Sequence, residues 1–324
     1  MILERVLRTI LVGFIFSLFL PVAVCYAEKI KVVTTFSILG DIVKQIGGEH
    51  IVVTSLVGPD GDTHVYRPTP ADARDVSEAE ILVVNGLDFE GWLDRLVEAS
   101  DFKGTRLVAT RGIEAIPYKE DEHDDHGKRE HDDHGKSEHD DHAGHNHGAF
   151  DPHAWQSLEN AVIYVNNITE ALAQFSPENA SDFYQNRAAY IAEINKLNKE
   201  LQAMIDNLPK NRRTVVTSHD AFQYLGRDYG LTFMAPQGLS TDSEASAQNV
   251  ARLIEQVRVN QIKAVFVENI TDPRLIKQIA NETGATIGGT LYPGALSGPN
   301  GPASNYLMMI RYNVEMLCRA LGDQ

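Results

Sequence analysis

Short strands alternate with helical stretches twice along this 324-residue chain, once on each side of a single long helical run. In the first series, residues 29–34, 51–57, 81–85 and 106–109 are apolar or β-branched and read as strands. Between them, residues 38–46, 70–79 and 91–99 carry apolar side chains at helical spacing, and Gly47-Gly48 stops the first of these helices. In the second series, strands at 214–217, 232–235, 264–268 and 286–290 alternate with helices at 221–229, 244–258, 273–283 and 303–321. Such alternation demands parallel sheets covered by helices on both faces. Between the series, residues 157–175 and 177–208 are helical. In the second of these, Phe183, Tyr184, Ala188, Ile191, Ile194, Leu197, Leu201, Ile205 and Leu208 recur at threes and fours. Ser176 is the expected N-cap, with Pro177 at the first helical position. A helix of that length spans about 45 Å, enough to join two domains. The fold class expected is α/β: two (β/α) domains with parallel sheets, at 28–175 and 209–324, joined by a long rigid helix at 176–208. Polar loops then gather at the C-terminal ends of the strands, where open parallel sheets bind ligands.

One segment stands outside this pattern. Residues 119–148 hold eight of the twelve histidines: His123, His126, His131, His134, His139, His142, His145 and His147. A block of Glu, His, two Asp and His starts at Glu122, at Glu130 and again at Glu138. With no apolar side chain longer than alanine between Glu120 and His147, the segment buries no core and is expected to stay disordered. Neutral imidazoles and carboxylates are the ligand set of borderline divalent ions, zinc above all, so the run reads as a metal-collecting loop.

The N-terminus reads as a cleaved export leader over residues 1–27. Arg5 and Arg8 precede an apolar stretch, and Cys25-Tyr26-Ala27 puts small residues at the -3 and -1 positions of the cut. Acylation at Cys25 is the weaker alternative, because Val24 stands where a small residue is wanted. An exported, periplasmic location follows, with no later segment long and apolar enough to cross a bilayer. Loss of Cys25 would leave Cys318 alone, so no intramolecular disulfide is expected and the fold must rest on its cores. The net charge is -16, and residues 119–147 contribute -7 of it, with eleven acids against four bases. That charge speaks against nucleic acid as a partner and for a cation.

Four histidines remain. His50 lies in a turn after Gly47-Gly48-Glu49 and reads as a surface residue. His64 follows the second strand in Gly58-Pro59-Asp60-Gly61-Asp62-Thr63-His64; His153 opens a helix in Asp151-Pro152-His153-Ala154-Trp155; His219 ends a strand in Thr217-Ser218-His219-Asp220-Ala221-Phe222. These are places where a rigid scaffold presents ligands. Asp151 and Asp220 are positioned to orient the imidazoles from behind, and Glu268, closing another strand, is a further supporting group.

The segments around His64, His153 and His219, the His/Asp-rich insert and Gly289-Thr290-Leu291-Tyr292 resemble the zinc/manganese solute-binding proteins of ABC transporters over residues 29–321. The Asp151–Trp155 and Thr217–Phe222 runs are the specific part of that likeness. The resemblance implies a metal held in the cleft between the domains, with His64 and His153 as ligands from the first and His219 from the second. It implies capture of Zn(II) by a monomer and delivery to a membrane permease. Manganese-preferring relatives tend to carry a carboxylate where His219 stands, and three imidazoles suit zinc better than oxygen-seeking manganese. One departure matters: relatives commonly place an aspartate ligand just after the Leu-Tyr of the last strand, and this chain has Gly294 there. The fourth ligand is left open between water, a neighbouring loop and the insert. Two other function classes compete. A zinc hydrolase also uses three His and an open position, but its ligands cluster in motifs such as His-Glu-x-x-His, whereas these lie 89 and 66 positions apart. A zinc-storing or adhesive surface protein would work through the insert instead.

Overall fold

The computed structural model describes residues 28–118 and 149–322. The expected leader, Cys25 and all eight histidines of the insert lie outside the described residues. Two four-stranded parallel sheets organise the rest. The first contains β1 (Ile30–Phe36), β2 (Ile51–Val57), β3 (Ile81–Val84) and β4 (Thr105–Val108) in the order β2-β1-β3-β4. The second contains β5 (Thr214–Val216), β6 (Thr232–Met234), β7 (Ala264–Glu268) and β8 (Thr286–Leu291) in the order β6-β5-β7-β8. The protein is thus an α/β fold of two parallel-sheet domains. All four residues of β3 are buried, as a strand covered on both faces requires.

The helices follow the apolar spacing closely. In the first domain they are α1 (Ser37–Gly47), α2 (Pro70–Glu78), α3 (Leu93–Ser100) and α4 (Leu158–Phe175). α5 (Ala180–Asp206) comes next, and α6 (Gln223–Tyr229), α7 (Ala247–Val259), α8 (Arg274–Thr283) and α9 (Tyr306–Gly322) belong to the second domain. α2 starts with a complete capping box: Thr69 Oγ1 accepts from Asp72 N, and Asp72 Oδ2 accepts from Thr69 N at 2.6 Å. The start of α5 departs from expectation. Pro177–Asn179 forms a separate 3-10 turn, closed by Asn179 N donating to Ser176 O, and the α-helix begins only at Ala180. The Ser176 hydroxyl donates to Glu178 Oε1 at 2.6 Å and accepts from Asn179 Nδ2, so it caps no helix. Side-chain partners within the turn have taken the hydroxyl that a backbone N–H would otherwise use.

α5 holds the two halves together through one face. Phe183, Tyr190, Ile194, Leu197, Leu201 and Ile205 are its buried residues, and it packs on α1, α4 and α9. A single apolar core runs from Val32 and Leu82 of the first sheet through these residues to Phe266 and Leu291 of the second. A smaller cluster, including Val216, Val265, Leu253, Ile276 and Ile279, lies on the other side of the second sheet. α9 is tied across the domains at its first residue: Tyr306 N donates to Asp41 Oδ2 at 2.9 Å, and Tyr306 Oη donates to Trp155 O at 2.6 Å. A carboxylate at a helix N-terminus also complements its dipole. β8 is bent where its register against β7 shifts between Val265 and Phe266. Gly289 sits there at φ +140, a conformation that a side chain rarely adopts, and a Cβ would run into the Met316 thioether. The chain leaves this bend towards Tyr292–Gly294, where Pro293 O accepts from Trp155 Nε1 and Gln156 Nε2.

Among the described residues, no helix is long and apolar enough to cross a membrane. Because Leu201 is fully buried where the two halves share a core, Leu201→Ala is expected to cost about 2–5 kcal/mol. Tyr184→Ala, on the exposed side of the same helix, should stay within about 0.5 kcal/mol. Thermal melts of the two variants check the difference.

Candidate metal centre

His64, His153 and His219 each place one ring nitrogen so that the three lie within 4.8 Å of one another. They form the one group of three or more potential metal-binding side chains found among the described residues. His64 comes from the loop that follows β2. That loop is pinned on both sides of the histidine: Asp62 Oδ1 accepts from His64 N at 3.0 Å, and beyond it Tyr66 Oη donates to Asp72 Oδ2 at 2.9 Å. The edge of Phe89 meets the imidazole, with ring centroids 4.8 Å apart.

His153 is fully buried at the start of the 3-10 turn Ala154–Gln156. Asp151 Oδ1 accepts from His153 N at 2.9 Å and lies 2.7 Å from His153 Nδ1. A carboxylate at Nδ1 places the ring proton there and leaves the Nε2 lone pair free. The surrounding backbone is fixed from both domains. Asn85 Nδ2 donates to Pro152 O at 2.9 Å, Tyr224 Oη donates to Asp151 O at 2.9 Å, and Tyr306 holds Trp155 O as described above.

His219, also fully buried, lies just beyond β5, where a parallel bridge joins it to Gln237. Glu268, the last residue of the adjacent strand β7, serves it three times. Glu268 Oε1 accepts from Ser218 N and His219 N at 3.0 and 3.2 Å, and Oε2 stands 2.6 Å from His219 Nδ1. His219 Nε2 is buried with no hydrogen-bond partner among the described residues. A buried polar atom left unpaired costs about 1–3 kcal/mol, so its presence calls for an explanation.

The geometry matches what a small cation needs. His64 Nε2 and His153 Nε2 are 3.2 Å apart. Two nitrogens at ordinary zinc distances and a tetrahedral angle would be separated by about 3.3 Å. Burial, and then the neighbouring imidazoles, hold His64 and His153 well below the usual histidine range, so both rings are neutral donors. For His219, burial pushes downward, but the charge and hydrogen bond of Glu268 outweigh it and the result is raised. Burial pushes Asp151 up to about 7 and Asp220 up to about 6.

Several placements could not be read from the chain order. Asp220 Oδ1 accepts from Gln223 at 2.5 Å, and the carboxylate bonded to His219 is Glu268, reached across the sheet. Gly294 is buried beside Trp155, whose Nε1 donates to Pro293 O at 2.8 Å. A Cβ added at Gly294 would meet Ile270 and Trp155 at an ordinary 3.8 Å, so there is space for a Cβ. His50 has a partner far along the chain, with Nε2 lying 2.8 Å from Asp182 Oδ2. The Phe89 wall rests on a turn in which Gly86, Leu87 and Asp88 are all left-handed, with φ of 86, 56 and 60. Glu90 locks this turn: Oε1 accepts from Asn85 N and Thr35 Oγ1 at 2.7 and 2.6 Å, and Oε2 accepts from Gly86 N. Asn85-Gly86 at a strand end was the available turn signal. Nothing in the sequence tied it to His153.

The family model described as zinc-uptake complex component A, periplasmic, matches residues 32–320. The chain belongs to that family. Membership makes it a substrate-binding component of a metal ABC transporter, acting outside the cytoplasm, in a family of binding proteins rather than enzymes. It is 33% identical to the iron-binding protein YfeA of Yersinia pestis, over 92% of this chain and 88% of that protein. It is 29% identical to the manganese ABC transporter substrate-binding lipoprotein PsaA of Streptococcus pneumoniae, over 91% of this chain and 90% of that one. A manganese-bound periplasmic metal-binding protein of Candidatus Liberibacter asiaticus superposes with a TM-score of 0.76 at 31% identity, covering 91% of this chain and all of that one. The periplasmic zinc-binding protein TroA of Treponema pallidum superposes with a TM-score of 0.78 at 25% identity, covering 91% of this chain and 99% of that one.

A metal ion needs neutral imidazoles, so at His219 it competes with a proton at any pH below that ring's raised pKa. Metal affinity should therefore begin to fall above the usual histidine value of 6.5, while His64 and His153 stay neutral through the same range. Removing the charge of Glu268 with Glu268→Gln should move that onset to lower pH. Competition titrations with a chelator from about pH 8 to about pH 5.5 measure both curves.

Proposed function

We propose that this protein captures Zn(II) outside the cytoplasmic membrane through His64, His153 and His219 and delivers it to an ABC permease. The observation that carries the reading is the buried, unpartnered Nε2 of His219, set beside the Nε2 atoms of two other imidazoles that lie 3.2 Å from each other. Asp151 and Glu268 hold the Nδ1 protons of His153 and His219, so these rings turn their lone pairs towards His64. Three neutral nitrogen donors suit zinc better than manganese, which prefers oxygen. Among the described residues no carboxylate joins the three-histidine group, and Glu268 on the second domain is fully engaged behind His219.

A second reading, manganese or iron as cargo, is favoured by the relatives named for those ions. On either reading residues 28–175 and 209–324 act as the two lobes and 176–208 as the stiff link, with the leader at 1–27 removed on export. The acidic, histidine-rich segment at 119–148 gathers cations ahead of the cleft by its charge. Storage or adhesion through that segment is the competing class of function, and a hydrolase would need a general base placed on an open coordination position.

Calorimetry with Zn(II) and Mn(II) on the full chain and on a chain lacking residues 119–148 separates these readings. The expected result is one tight zinc site that survives the deletion and weakens by at least about a hundredfold in His64→Ala, His153→Ala or His219→Ala. Loss of all tight binding with the segment would sink the cleft assignment. Gly294→Asp supplies a carboxylate in the space beside Trp155, and it should raise manganese affinity relative to zinc in the same titrations.

A further inference from the structure

The loop between β6 and α7, residues 235–246, touches both halves of the cluster. On one side Gln237 bridges to His219, and Gly238 O accepts from Asp220 N at 3.1 Å. On the other side Thr241 Oγ1 donates to Asp62 Oδ2 at 2.6 Å, a contact between the two domains. The same Asp62 carboxylate uses its second oxygen, Oδ1, to accept from His64 N. One side chain thus ties the backbone of His64 to a loop of the opposite domain. The loop is braced from within, with Gln237 Nε2 donating to Ser243 O at 3.0 Å and Leu239 buried beneath it. His219 and His153 have buried carboxylates behind their rings. His64 is only partly buried, and among the described residues no carboxylate is bonded to its ring. Its placement depends on its backbone, which Asp62 holds together with Trp92, whose Nε1 donates to Thr63 O at 2.8 Å.

We propose that Thr241 is a positioning residue that sets the rate of metal release, by clamping Asp62 and, through it, His64 against the second domain. The proposal rests on His64 being a metal ligand. With the hydroxyl in place, the Asp62-Thr63-His64 segment is held at both carboxylate oxygens. Once the Thr241 contact opens, His64 can swing away with its loop while His153 and His219 remain fixed by buried partners. Release then takes place through the most weakly held of the three ligands. Two further hydrogen bonds tie the start of the His64 loop to the second domain, Asp60 N donating to Leu296 O at 2.8 Å and Asn269 Nδ2 donating to Asp60 Oδ1 at 2.9 Å. The Thr241–Asp62 bond is the one made two positions from His64. That bond is made to a charged group, and such bonds are stronger than neutral ones.

The test is stopped-flow transfer of Zn(II) from the loaded full-length protein to excess chelator, with association measured separately. Thr241→Val removes the hydroxyl and keeps the shape; Thr241→Ser keeps the hydroxyl. Thr241→Val is expected to release zinc about tenfold faster, the worth of one charge-assisted hydrogen bond, with association unchanged within about twofold. Thr241→Ser should release at the parent rate, and the metal-free melting temperature of both should match the parent. The proposal falls if Thr241→Val releases zinc at the parent rate, if Thr241→Ser is as fast as Thr241→Val, or if both rate constants move together with the metal-free melting temperature. His64→Ala in the same assay separates the two levels. Tight binding retained in His64→Ala would remove the ligand reading, whereas its loss together with parent-like release by Thr241→Val would remove the clamp alone.

Discussion

Three imidazoles packed nitrogen to nitrogen, two of them sealed from solvent, are an unfavourable thing to build into a protein. Two of the rings cannot charge freely, since His64 and His153 are pushed far towards the neutral form by burial and then by neighbouring imidazoles. One nitrogen, His219 Nε2, has no partner among the described residues. The unmet bond alone costs about 1–3 kcal/mol, a sizeable part of the stability of an ordinary domain. A cation in the centre would satisfy all three nitrogens at once and return that free energy as binding. The rest of the structure can be understood as what keeps these rings from relaxing in the cation's absence.

That restraint comes from groups that do not face the centre. Asp151 and Glu268 fix ring orientation, and Asn85, Tyr224 and Tyr306 fix the backbone around His153. Behind them lies an aromatic wall: Phe89 packs on His64, on Trp155 at 4.7 Å and on Phe36 at 5.1 Å. Phe89 follows two consecutive non-glycine residues in the left-handed region, each costing about 1–2 kcal/mol. Such a turn persists only where its surroundings over-determine it, and the buried Glu90 carboxylate with three donors does so. The shared core adds the last restraint. With apolar contacts continuous from β1 to β8 and α9 tied to α1, the two sheets have little freedom to rotate as separate bodies.

The alternation of strands and helices was legible because parallel strands covered on both faces need continuous apolar runs, as in Ile81–Val84. The three histidines were legible as a set because each follows a strand or opens a helix on the ligand-binding edge. Their supporting groups were less so. Asp220 is next to His219 in the chain, but its carboxylate turns to Gln223 at the start of the following helix. Glu268 is 49 positions away and reaches His219 because β7 lies beside β5 in the second sheet. Strand order is a tertiary fact that spacing alone does not contain. The same holds for Asn85, Tyr224 and Thr241, which are ordinary polar residues until the fold brings them to the cluster. Ser176 failed as a cap for a local reason: side chains within its own turn competed for the hydroxyl.

The uneven support of the three rings bears on how a binding protein can be both tight and reversible. Affinity rises with the number of ligands held in place before the ion arrives, and fully fixed ligands would also trap it. Here two rings are fixed through buried carboxylates and one through its backbone, on a partly exposed loop. On the proposed reading the pre-organised pair determines which ions are recognised, since its donors are held in place by buried partners. On the same reading the third ring closes the coordination and leaves it without disturbing the core. A stiff scaffold is then compatible with release, because the motion required is confined to a loop of a few residues after β2 instead of a rotation of one domain against the other.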